Sequence, residues 1–87
     1  MFETHILIVE DELRLAEILQ KQLQESGFKA DVANDGYVGK RMMENAEYDL
    51  VVLDINLPLM NGYELCKEIR KNNSKIPIIM LTALGTS

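Results

Sequence analysis

Four short stretches rich in β-branched and other apolar residues recur along the chain and predict strands at about 5–9, 28–33, 49–53 and 76–81. The first, third and fourth are nearly continuous apolar runs, as expected of strands buried on both faces of a sheet. The second alternates, with Phe28, Ala30 and Val32 apolar between polar neighbours. That alternation predicts a less buried strand near a sheet edge.

Between these strands, apolar residues recur at helical spacing and predict helices at about 12–26, 36–46 and 62–71. In the second helix, Val38, Met42 and Ala46 lie four residues apart and are expected to form its inner face. Gly39 should weaken that helix by about 1 kcal/mol relative to Ala. The resulting order, β-α-β-α-β-α-β, predicts an α/β fold with right-handed crossovers and a parallel sheet.

Composition narrows the class of protein. The 87 residues allow one small domain at most, and 47% hydrophobic with 26% charged residues is typical of a globular chain. The net charge of −5 weighs against direct binding of nucleic acid or a membrane surface by this segment. A single cysteine, Cys66, excludes an internal disulfide and is expected to fill space in the core. We find neither a signal-peptide pattern nor an apolar run long enough to span a membrane, and expect a cytoplasmic location.

Candidate chemistry lies where the predicted buried strands end. Glu10 and Asp11 follow the first strand, Asp54 follows the third and Thr82 follows the fourth. The carboxyl ends of parallel strands share one edge of the sheet, so these groups should converge there. His5 begins the first strand at the opposite end, and we expect a surface or edge residue that is not a ligand. Taken singly, the acids at 10–12 are explained equally well as helix caps.

Converging carboxylates repel one another unless a cation shares their site. Oxygen ligands without histidine or cysteine favour a hard ion, and Mg²⁺ is the first choice because it binds one or two carboxylates together with phosphate oxygens. A carboxylate can also act as a nucleophile and carry a phosphoryl group. These residues therefore predict a magnesium-dependent aspartyl-phosphate site.

A family resemblance rests on three motifs that occur in order along the chain. They are I-L-I-V-E-D-E at 6–12, V-V-L-D-I-N-L-P-L-M-N-G at 51–62 and I-P-I-I-M-L-T-A at 76–83. The chain resembles the receiver domain of two-component response regulators. The resemblance implies that Asp54 is the phosphoacceptor and that Thr82 is the switch hydroxyl, with Ala83 leaving room for the phosphoryl group. It also implies a Mg²⁺ site formed by Glu10, Asp11, Asp54 and the backbone carbonyl of Asn56. The implied fold is a doubly wound, flavodoxin-like parallel sheet with the strand order 2-1-3-4-5, of which this sequence contains the first four strands.

The resemblance stops short of the family's full pattern. That pattern has five βα units, and this sequence contains only (βα)3-β, a receiver domain fragment over 1–87. The family's phosphoryl-pairing lysine has no counterpart here, so we expect this segment alone to phosphorylate poorly. The fourth strand would have an exposed edge, which predicts self-association or a swapped assembly.

The resemblance implies a sensor histidine kinase as phosphoryl donor and partner, and a domain that assists its own phosphorylation rather than a conventional enzyme. The residues of the motifs look most like those of regulators with a winged-helix output domain, through which DNA would be bound. A receiver attached to a sensor kinase is the other arrangement that the resemblance allows. One alternative is a non-signalling or swapped interaction module. A phosphatase of the haloacid dehalogenase type is disfavoured, because Asn56 stands where a second aspartate is needed. Nucleotide binding is disfavoured because no Gly-rich loop follows the first strand.

Overall fold

The computed structural model describes residues 3–72 and 75–81, which form four strands and three helices in strict alternation. The strands are β1 (His5–Val9), β2 (Lys29–Ala33), β3 (Leu50–Asp54) and β4 (Ile78–Leu81). The helices are α1 (Leu13–Glu25), α2 (Gly36–Asn45) and α3 (Gly62–Asn72). None of these helices combines the length and apolar character that a bilayer-spanning segment requires.

All strand pairs are parallel, and the sheet order is β2-β1-β3-β4. This is the order that the family resemblance implies for the first four strands, and it puts β2 at an edge as its alternating sequence predicted. Leu7, Val9, Val51 and Leu53 point to one face and are fully buried with residues of α3 such as Leu65. Ile6 and Ile8 point to the other face, where Leu19 and Leu23 of α1 pack on them. The α/β prediction is therefore confirmed.

Two of the three residues predicted to form the inner face of α2, Val38 and Ala46, do not lie on its buried face. Val38 is 41% exposed and Ala46 is also exposed, whereas Gly39 is buried. A Cβ atom on Gly39 would lie only 3.0 Å from a methyl group of Val9, so the helix packs almost against the β1 side chains at this point. The spacing of the large apolar residues was misleading because glycine, not a large side chain, marks the buried face. Met42, the third predicted residue, does pack against the core, and Met43 packs beside it.

The amino-terminal edge of the sheet contains a side-chain cluster that the sequence did not reveal. His5 was predicted to be a surface or edge residue, but its side chain is only 19% exposed because Asp31 and Tyr48 enclose it. Asp31 Oδ2 accepts hydrogen bonds from His5 Nε2 at 2.7 Å and from the Tyr48 hydroxyl at 2.8 Å. These contacts join β1, β2 and the segment that leads into β3, away from the strand-end acids.

The last strand begins later than predicted. Ile76 and Pro77 precede β4, which starts at Ile78. Proline has no N–H to donate to a ladder, although the Pro77 carbonyl still accepts a hydrogen bond from Val51 N at 3.0 Å.

Candidate metal centre

The carboxyl edge of the sheet brings together three of the acidic residues that the sequence singled out. One carboxylate oxygen each from Glu10, Asp11 and Asp54 lies within 4.8 Å of the other two. The two supporting strands, β1 and β3, are direct neighbours in register, with Val9 opposite Leu53. Each strand therefore ends at the same level, and the residues after Val9 and Leu53 meet. The predicted convergence of these carboxylates is what the structure shows.

Local hydrogen bonds orient the buried and half-buried members of the cluster. Glu10 is only 2% exposed; its backbone N–H donates to the Ala33 carbonyl at 2.9 Å and its Oε2 accepts from Glu12 N at 3.0 Å. Asp54 is half-buried, and its Oδ1 accepts from Asn56 N at 3.1 Å. Asp11 is exposed. The cluster thus has a buried base and one open side toward solvent.

The electrostatics of this cluster favour a bound cation. Burial raises the pKa of Glu10 above its usual range; the N–H of Glu12 works against this, while the charges of Asp54 and Asp11 raise the pKa further. Each carboxylate oxygen is a hard donor, and the described part of the chain provides no histidine or cysteine within the cluster. A divalent cation bound by oxygen ligands would neutralise the mutual repulsion, so the donor set fits Mg²⁺ better than Zn²⁺.

An open cleft of about 510 Å³ lies beside the cluster, and Asp11, Asn56, Asn61 and Tyr63 are among the residues that line it. The start of α3 forms one wall. Asn61 Oδ1 accepts from Glu64 N at 2.9 Å while Glu64 Oε1 accepts from Asn61 N at 3.1 Å, which is a capping box. This reciprocal cap fixes the helix start next to the acids, so the cleft is a preformed space that a small anionic group could enter.

The predicted site residues therefore divide into two groups. Glu10, Asp11 and Asp54 meet, and Asn56 lies in the adjoining cleft, whereas Thr82 and Ala83 lie outside the described residues. Asn34 was not among the predicted site residues, although its side-chain Nδ2 donates to the Glu10 carbonyl at 3.3 Å. Its position directly after β2 was the available signal, since the ends of all parallel strands share this edge.

Comparison with known proteins identifies the family. Residues 6–87 match the family described as "Response regulator receiver domain". The chain is 47% identical over 81 residues to the probable transcriptional regulatory protein SilR of Salmonella typhimurium, and 46% identical over 81 residues to the transcriptional regulatory protein CusR of Escherichia coli. Each alignment covers 93% of this chain but 36% of the relative, so the chain spans about a third of the length of these curated relatives.

Solved structures agree with the sequence comparison. A receiver domain protein from Methanospirillum hungatei superposes with a TM-score of 0.91 at 30% identity, over 93% of this chain and 65% of that one. The response regulator TrrA from Thermotoga maritima, in complex with Mg²⁺ and BeF, gives 0.88 at 41% identity, over 92% and 70% of the two chains. With its fold, its strand-end acids and the match over residues 6–87, this chain belongs to the response regulator receiver domain family.

Proposed function

We propose that Asp54 accepts a phosphoryl group from the phosphohistidine of a sensor histidine kinase, in a site where Glu10 and Asp11 hold Mg²⁺. The observation that carries this proposal is the approach of the three carboxylates to within 4.8 Å at the carboxyl edge of the sheet. Asp54 is the member placed at the end of β3, the strand between β1 and β4. Its half-buried position at the strand end suits a group that an incoming phosphorus atom must reach.

The transfer is a single displacement at phosphorus. A carboxylate oxygen of Asp54 attacks the phosphorus, forming an O–P bond, while the N–P bond of the phosphohistidine breaks. The electron pair of that bond stays on the imidazole nitrogen, which then takes a proton from solvent. The Asn56 N–H, which binds Asp54 Oδ1 at 3.1 Å, orients the carboxylate and leaves its second oxygen for attack.

The remaining site residues have supporting roles in this proposal. Asp11, exposed at the mouth of the cluster, would be a direct magnesium ligand, with the Asn56 carbonyl beside it, and the buried Glu10 would act through water. When bound, Mg²⁺ supplies positive charge that offsets the negative charge of the phosphoryl oxygens. Thr82 is proposed as the hydroxyl that binds the phosphoryl group, on the strength of the family resemblance alone.

The test uses the whole 87-residue chain with phosphoramidate, a small donor that contains an N–P bond. Intact-mass spectrometry should show slow, Mg²⁺-dependent addition of one phosphoryl group to the wild type and none to Asp54→Asn. Asp49→Asn is the matched control, because Asp49 is an exposed aspartate that accepts a hydrogen bond from His5 N at the opposite end of the sheet. Labelling of Asp54→Asn at the wild-type rate would refute the proposal.

The larger protein context is also a proposal. Because the relatives SilR and CusR are named transcriptional regulatory proteins, we propose that this receiver controls a DNA-binding output domain and works in the cytoplasm. Phosphorylation at Asp54 would alter the contacts of the receiver and so the activity of that output domain. A shift in DNA binding on phosphorylation, lost in Asp54→Asn within the longer protein, is the expected result; equal binding in both states would contradict it.

We also propose that the 87-residue chain self-associates through β4. Within the described residues β4 pairs only with β3, and the side chain of Ile79 is 50% exposed on the sheet face. An apolar strand with an open edge is a template for pairing with a second chain. Sedimentation velocity should show a concentration-dependent dimer that Ile79→Lys weakens. Ile18→Lys on α1, where Ile18 is 48% exposed, should not weaken it; a monomeric wild type would contradict the proposal.

A further inference from the structure

The turn between β2 and α2, residues 34–36, touches the segments that follow β1 and β3 on either side of the acidic cluster. On one side it reaches the backbone of Glu10. The Glu10 carbonyl accepts from Asn34 Nδ2 at 3.3 Å, next to the bond at 2.9 Å from the Glu10 N–H to the carbonyl of Ala33, the last residue of β2. The Glu10 carbonyl belongs to the peptide unit that leads into Asp11, so the Asn34 amide restrains the rotation that would swing Asp11 away from Asp54.

On its other side, the turn packs against the loop that follows Asp54. A Cβ atom on Gly36 would lie 2.5 Å from the Met60 carbonyl oxygen and 2.9 Å from Met60 Cβ. The backbone of the turn at Gly36 is therefore in close contact with Met60. Met60 also packs against the main core, and its N–H donates to the Pro58 carbonyl at 2.7 Å. The loop therefore cannot retreat from a larger residue at position 36 without disturbing its core contact.

We infer that the turn 34–36 is a positioning element, which fixes the separation between Asp11 and Asp54 by holding the segment after β1 and the segment after β3. The inference rests on the proposed function, because it assigns the turn a role in a Mg²⁺ site. Helix capping does not account for these contacts. Asp35 Oδ1 caps α2 by accepting from Val38 N at 2.8 Å, whereas Asn34 points back to the loop after β1 and Gly36 faces the loop after β3.

Two variants test the two contacts separately, each with a matched control in α2. Asn34→Ala removes the amide, and its control is Asn45→Ala, because Asn45 Nδ2 donates to the Arg41 carbonyl at 2.8 Å far from the acids. Gly36→Ala introduces the backbone clash. Its control is Gly39→Ala, whose Cβ would meet only side-chain atoms, at 3.0 Å from Val9.

The readout is the affinity for Mg²⁺ and for Ca²⁺, measured by calorimetry on the whole chain, with chemical unfolding as a check on folding. Loss of one neutral hydrogen bond should weaken Mg²⁺ binding about three- to tenfold in Asn34→Ala, and the clash in Gly36→Ala should weaken it more than about tenfold. Ca²⁺ tolerates irregular geometry and Mg²⁺ demands near-octahedral ligands, so Ca²⁺ binding should fall less. Purely structural damage would lower both affinities together.

The outcomes separate this inference from the proposed function. Selective loss of Mg²⁺ affinity in the two turn variants, with both controls near wild type, supports the positioning role. Turn variants that bind Mg²⁺ as well as their controls, or that lose Mg²⁺ and Ca²⁺ affinity in parallel, overturn it while leaving the metal site intact. A wild-type chain that binds no Mg²⁺ would overturn the proposed function and this inference with it.

Discussion

Replacing Glu10 by Gln should stabilise the metal-free chain and reduce its response to Mg²⁺. Glu10 is 2% exposed, and its carboxylate shares a cluster in which ligand oxygens lie within 4.8 Å of one another. At that distance two unit charges repel by about 1 kcal/mol in water and about 3.5 kcal/mol at an effective dielectric constant of 20. The glutamine has the same shape and keeps an oxygen that can accept from Glu12 N.

The net gain in the free energy of unfolding is smaller than the sum of these repulsions. Asp11 is exposed and well screened, and the Glu12 N–H already favours the charged form of Glu10. We therefore expect Glu10→Gln to raise the free energy of unfolding in EDTA by about 1–2 kcal/mol at pH 7. For a domain of this size that corresponds to an increase in melting temperature of roughly 5–10 °C.

Thermal unfolding followed by circular dichroism, in EDTA and in saturating Mg²⁺, measures both effects. The wild type should gain more stability from Mg²⁺ than Glu10→Gln, since the variant attracts the cation with one charge fewer. Glu17→Gln is the control, because Glu17 is exposed in the middle of α1 and outside the cluster. The reasoning is refuted if Glu10→Gln is no more stable than wild type in EDTA, or if Mg²⁺ stabilises both equally.

Three further predictions concern other parts of the chain. Burial and the hydrogen bond to Asp31 raise the pKa of Tyr48 to about 12. An ultraviolet titration should therefore lose its transition near pH 12 in Tyr48→Phe and keep it in Tyr63→Phe. A transition near pH 12 that persists in Tyr48→Phe would contradict this. Although burial works against it, the hydrogen bonds from Tyr48 and His5 lower the pKa of Asp31 below 3.8, so the carboxylate stabilises the fold above that pH and the contribution is lost as the pH falls through the lowered value. Asp31→Asn should therefore cost about 1 kcal/mol or less in urea unfolding at pH 6, because the side chain is 35% exposed, and the cost should shrink as the pH falls below 3.8; a cost that does not change with pH would count against it. Leu59 has a φ of 70° and is 78% exposed. Leu59→Gly should therefore relieve backbone strain and raise the free energy of unfolding by about 0.5 kcal/mol, whereas Leu59→Ala should not. Equal effects of the two substitutions would exclude strain as the cause.

The site was predictable to the extent that it follows from topology. Alternation of strand-like and helical stretches implies a parallel sheet, and a parallel sheet brings the residues after β1 and β3 to one edge. This topology is sufficient to predict that Glu10, Asp11 and Asp54 lie close together. The strand order likewise agrees with the resemblance that the motifs established.

The misjudged features depend on close packing, which periodicity does not encode. The inner face of α2 contains Gly39, because the helix lies against the Val9 side chain, and a pattern of large apolar residues cannot show that. His5 gains two partners only when β1 and β2 are paired and Tyr48 folds over them. The contacts of Asn34 and Gly36 arise in the same way, between loops distant in sequence.

The central claim is that carboxylates from the ends of β1 and β3 hold a divalent cation beside Asp54. Anomalous diffraction from crystals of the chain soaked in Mn²⁺, which shares the preference of Mg²⁺ for oxygen ligands, tests it most directly. We predict an anomalous peak at coordinating distance from the carboxylates of Asp11 and Asp54. Bound Mn²⁺ found only at other positions, with none between these two aspartates, would contradict the account.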